Sequence, residues 1–98
     1  MDEQNVRSHA QRHARAVVEG DLRSAARDLA VEARGKAGEV MQALPSPLEA
    51  ADVTGVEGDA GSFVVRIRYG GAGRSTTVRT RWEDRDEQPR IVDLEVEP

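Results

Sequence analysis

Apolar and polar positions alternate strictly over Ser62 to Trp82, and the alternation breaks once, at Gly70-Gly71-Ala72-Gly73. Phe63, Val65, Ile67 and Tyr69 share one side of the first arm; Val64, Arg66 and Arg68 share the other. Beyond the glycines, Thr76, Val78, Thr80 and Trp82 alternate with Thr77, Arg79, Arg81 and Glu83. A period of two belongs to a half-buried strand, so the stretch predicts a hairpin. A turn centred on Gly71-Ala72 sets Tyr69 opposite Arg74, Ile67 opposite Thr76, Val65 opposite Val78 and Phe63 opposite Thr80. That register gathers the apolar residues on one face.

Turn-forming residues at Glu57 to Gly61, Gly70 to Gly73 and Asp84 to Pro89 divide the second half of the chain into four strands. These are Leu48 to Val56, Ser62 to Tyr69, Arg74 to Glu83 and Arg90 to Glu97, although Leu48 to Val53 would also suit a helix. In the last strand Val92, Leu94 and Val96 alternate with Ile91, Asp93, Glu95 and Glu97. Pairing Trp82 with Val92, Thr80 with Leu94 and Val78 with Val96 extends the inner face. The same register sets Arg81 against Asp93 and Arg79 against Glu95 on the outer face, a favourable cross-strand arrangement.

Upstream the period changes to that of a helix. Val6, Ala10, Ala14, Val17 and Val18 mark a helix over Asp2 to Glu19, with Asp2 and Glu3 at its positive end and Gly20 as its stop. Asp21 caps a second helix whose stripe is Leu22, Ala25, Ala26, Leu29 and Ala33. That stripe is mostly alanine, which permits close approach but buries little. Gly35 and Gly38 interrupt the pattern before Val40, Met41 and Leu44 mark a short third helix, ended by Pro45-Ser46-Pro47. Helices followed by an antiparallel meander predict an α+β fold, with N-terminal helices packed on a curved four-stranded sheet.

Composition narrows the possibilities. A chain of 98 residues makes one domain, and with one Phe, one Tyr and one Trp its core must rest on Val, Leu, Ile and Ala. Thin cores gain burial by self-association, which favours a homodimer. The net charge of -4 argues against a nucleic-acid partner. With no cysteine there are no thiolate metal sites, and no apolar run suits a membrane span or a signal peptide, so a cytoplasmic location is expected.

The order of elements resembles the nuclear transport factor 2-like proteins. The resemblance also rests on the helix closing with Val17-Val18-Glu19-Gly20-Asp21-Leu22 and on the ending Trp82-Glu83-Asp84, turn, Pro89-Arg90-Ile91-Val92-Asp93-Leu94. It covers nearly the whole chain and takes in that superfamily's polyketide cyclase-like and ketosteroid isomerase-like branches. It implies a cystatin-like cone of helices on a bent sheet, with an apolar pocket at the wide end and frequent dimerisation through the sheet. Enzymes of those branches place a carboxylate acid or base in the cone, with a Tyr, Asp or His beside it. No such carboxylate carries over to this chain.

The inward strand positions include no carboxylate either, which counts against acid-base catalysis. Polar tips on the apolar face come from Tyr69, Thr76, Thr80 and Trp82, a pattern that suits a small apolar ligand and equally suits ordinary core and edge residues. His9 and His13 stand four apart on the first helix, but no HExxH context and no third ligand complete a metal site, and no cofactor is implied. His13 falls near the apolar stripe and His9 at its rim, so His13 joins the pocket candidates. Gly70 to Gly73 lacks the Lys-Ser/Thr ending of a phosphate loop. On the outer face Arg66, Arg68, Arg79 and Arg81 adjoin Asp93 and Glu95, so two copies could meet face to face, arginine strand against acidic strand. The leading expectation is a non-catalytic ligand-binding or assembly domain. The alternatives are an isomerase or cyclase using Tyr69 with His13 or Asp52, and a structural interaction domain acting through the outer face.

Overall fold

The computed structural model describes residues 1–59 and 61–98. Ala60, inside the turn expected over Glu57 to Gly61, lies outside the described residues. Helix α1 spans Glu3–Glu19, with the Asp2 carboxylate accepting from Asn5 N–H at 2.8 Å. It stops at Gly20, whose left-handed φ of 77° lets its N–H reach the Ala16 and Val17 carbonyls. Val6, Ala10, His13, Ala14 and Val17, spaced by three and four, form its buried stripe.

Helix α2 is shorter than its stripe predicts. It covers Leu22–Arg27, capped by Asp21 through Ser24 N–H and Oγ, and gives way before Ala33. The last strand takes over the backbone that would continue it: Ile91 N–H donates to Asp28 O at 2.6 Å, and Ala30 N–H donates to Ile91 O at 2.8 Å. A 3-10 turn at Val31–Ala33 then leads into α3, Arg34–Ala43. This helix runs straight through Gly35 and Gly38, where an interruption was expected. Each glycine costs a helix only about 1 kcal/mol relative to alanine, and burial of Val40 on its inner side opposes that cost.

Strands β1 (Ala50–Asp59), β2 (Ser62–Gly71), β3 (Arg74–Arg85) and β4 (Gln88–Val96) form one antiparallel meander in sequence order. The segment that also suited a helix enters β1. Between β2 and β3 the register is two residues away from the expected one: Tyr69 faces Thr76, Ile67 faces Val78, Val65 faces Thr80 and Phe63 faces Trp82. The turn is Ala72-Gly73, with φ of 53° and 76°, so both residues take the left-handed conformation a two-residue hairpin favours. Gly71 belongs to the strand, and the Pro47 carbonyl lies against it where any Cβ would collide. A shift of two leaves every side chain on its predicted face.

Between β3 and β4 the pairs Val78–Val96, Arg79–Glu95, Thr80–Leu94 and Arg81–Asp93 form as expected. Trp82 faces Ile91 instead of Val92, because the register shifts after Arg81. The shift turns Ile91, expected on the outer face, into a fully buried core residue. The core lies between the inner sheet face and the helices, with α1 across β1 and β2 and α3 against β4. Among the described residues no helix is long and apolar enough to cross a membrane.

Candidate ligand pocket

The two walls of the core do not fill the space between them. The sheet supplies Tyr69, Val78, Thr80 and Leu94, while α2 and α3 answer with Ala25, Ala26, Ala37 and Gly38. Small side chains leave a cavity of about 190 Å³, completed by His13 and Val17 of α1. Leu22 and Met41, 53% and 39% exposed, line it too, so it reaches solvent between α2 and α3.

Three polar side chains border this apolar space. His13 Nδ1 lies 2.9 Å from Asp28 Oδ2, and the edge of the ring meets Trp82 at a centroid distance of 6.1 Å with planes 87° apart. An ionised carboxylate only accepts, so in the neutral imidazole Nδ1 carries the proton and Nε2 presents a lone pair. Nε2 has no hydrogen bond among the described residues, yet no wholly buried side-chain nitrogen or oxygen there lacks one. Nε2 is therefore not wholly buried, and His13 is among the residues that line the cavity.

The same reasoning applies to Tyr69. Only 3% exposed, it lines the cavity and makes no side-chain hydrogen bond among the described residues, and burial raises its phenol pKa above the ordinary value. Thr80 is occupied differently. Its hydroxyl donates to Val65 O at 2.9 Å and accepts from Trp82 Nε1 at 2.9 Å, which satisfies the indole and the threonine together.

Of the five expected pocket residues, the structure thus brings His13, Tyr69 and Thr80 to one cavity and leaves two outside its lining. Trp82 is fully buried behind His13, and Thr76 is half-buried with its hydroxyl 3.5 Å from Ala43 O. Asp52, the alternative base, is exposed beside Arg68 at 3.5 Å and does not line this cavity. His9 sits against the Arg12 guanidinium. Asp28 was missed. No spacing announces it, since the end of α2 meets α1 only after docking on β4. Gly38 was read as a helix breaker, and its lining role follows from the absent side chain.

On the outer sheet face the arginines have carboxylates of their own chain. Arg66 reaches Glu97 at 2.6 Å, Arg68 reaches Asp52, Arg79 reaches Glu95 at 3.7 Å, and Arg81 reaches Glu83. Asp93, opposite Arg81 in the ladder, pairs with Lys36 of α3 at 2.9 Å, which holds its carboxyl pKa below the ordinary range.

No family model matches the chain, and no curated protein or solved structure gives a significant match.

Proposed function

We propose that this domain binds a small apolar molecule carrying one hydroxyl or carbonyl oxygen, held in the cavity between α2, α3 and the sheet. One observation carries the proposal: in an otherwise apolar space, His13 Nε2 and the Tyr69 hydroxyl are left for a ligand, while Asp28 orients the imidazole. The lone pair on Nε2 suits a ligand O–H, and the phenol suits a ligand oxygen that accepts. An aliphatic cavity of ~150 Å³ holds benzene. A space of about 190 Å³ accordingly suits a substituted single ring or a short branched chain.

Titrating the protein with single-ring phenols and their methyl ethers, read by amide chemical shifts, tests this. Phenols should perturb Val17, Ala25, Gly38 and Tyr69, and the ethers should bind about 3- to 10-fold more weakly for want of one hydrogen bond. Shifts confined to other surfaces would sink the idea.

The Asp28 contact also favours a second reading, an isomerase or cyclase with His13 as the base and Tyr69 as hydrogen-bond donor. The resemblance to nuclear transport factor 2-like proteins supports both readings of the pocket. Asp28→Asn should abolish turnover in the enzyme and only weaken binding in the binding domain. Self-association through the outer sheet face is the remaining part of the proposal. A second copy would exchange the internal ion pairs rather than create new ones, so raising salt should barely shift a dimer in which Val64 supplies the apolar contact.

A further inference from the structure

On the other side of α2 lies a second, polar concavity of about 960 Å³, walled by α1, α2, residues 28–34 and the turn between β3 and β4. Six arginines line it: Arg12, Arg15, Arg27, Arg34, Arg85 and Arg90. Glu32 holds Arg85 at 2.9 Å, whereas the other five form no ion pair among the described residues. Most acids of the same wall are already engaged, Asp21 in capping α2, Asp28 with His13 and Glu32 with Arg85.

Two further observations bear on the arginines of this wall. Arg34 opens α3, where the helix dipole disfavours a cation, so helix stability does not account for it. His9, in the same wall, has its imidazole pKa lowered by burial first, then by Arg12 and Arg90, against the opposing pull of Asp28. In a chain of net charge -4 this groove sets six guanidiniums, five of them without an ion pair among the described residues, against five carboxylates, three of which are already engaged, and so offers an anion separate points of contact rather than a continuous basic surface.

We propose that this groove docks an acidic segment of a partner protein. Nucleic acid fits it less well. Glu19, Asp21 and Asp86 stand among the arginines and would repel a continuous row of phosphates, and Phe63, Tyr69 and Trp82, the chain's aromatics, are all buried and cannot stack on bases. A peptide can place carboxylates at the arginines and side chains without charge at the acids. Val31, 77% exposed on the groove wall, offers an apolar contact to one of them.

The test uses the full chain and a short fluorescein-labelled peptide of alternating Glu and Leu, followed by anisotropy at low and physiological salt. Wild type should bind saturably, and more weakly as salt rises. Combining Arg12→Glu, Arg15→Glu and Arg27→Glu should weaken binding roughly tenfold or more, while Arg79→Glu with Arg81→Glu on the sheet face should leave it within about twofold. If circular dichroism shows the triple variant unfolded, the corresponding Gln substitutions take its place, with the loss expected in the same direction. Absent saturable binding, an equal loss from the sheet-face variant, or tighter binding of an oligouridylate would each overturn the proposal.

Discussion

The sheet wall and the helix wall of the cavity are built on opposite principles. Behind the lining residues the sheet carries Trp82, Ile67 and Val65, fully buried and paired between β2 and β3 without a register shift. Ala25, Ala26, Ala37 and Gly38 on α2 and α3 are small, and these two helices are only six and ten residues long. The sheet therefore carries the stability, and the helices carry the opening. A cavity persists because one wall cannot supply the volume that the other leaves unfilled, and close packing elsewhere prevents the walls from collapsing onto each other.

Three substitutions bear on that division. Trp82→Ala should have the largest effect, about 3–5 kcal/mol lost in denaturant unfolding, because it opens a second void in the wall that holds the fold and leaves Thr80 without its donor. A loss as small as that of a helix-wall substitution would contradict the division.

Tyr69 gives a pH-dependent test. Burial raises its phenol pKa, so the folded state holds the proton more tightly than the unfolded chain does. The associated stability is full below the unfolded value near 10 and falls as pH rises above it, by up to about 1.4 kcal/mol per pH unit. Tyr69→Phe should flatten that alkaline limb in pH-dependent unfolding while changing stability little at neutral pH; an unchanged limb would show that the phenol is not held apart from water.

Gly38→Ala should have the smallest effect, and in the opposite direction. A Cβ there meets no atom within 4 Å, so the helix should gain about 0.5–1 kcal/mol. Thermal unfolding reads the gain, and ligand titration should show the cavity narrowed on its α3 side. A destabilised variant would mean that the wall needs its glycine for more than space.

Much of the fold was legible because strands announce themselves at short range. Alternation assigned the faces of β2 and β3 correctly even where the pairing was misread by two residues, since a shift of two conserves the faces. The misreading came from Gly71. Nothing local distinguishes a glycine needed for a turn from one needed because Pro47 passes beside it. Ile91 was misplaced for a related reason: the register shift that buries it lies where the residues after α2 bond to β4, a contact that no local pattern announces. Of the site, His13 and Tyr69 were visible from helical and strand periodicity. Asp28 was not, because fifteen residues and a change of direction separate it from His13.

By itself the sequence determined the α+β order of elements, the inner and outer faces of β2 and β3, the cap Asp21 and the poverty of the helix stripe in large side chains. Those properties depend on neighbours within a few residues, through period, capping and side-chain size. The tertiary structure alone decided that the alanine stripe borders an open cavity, that Asp28 orients His13, and that the sheet-face arginines meet carboxylates while five of the six groove arginines form no ion pair among the described residues. Each of these is a relation between groups distant in the chain, and only packing sets the distance over which a charge or a hydrogen bond acts.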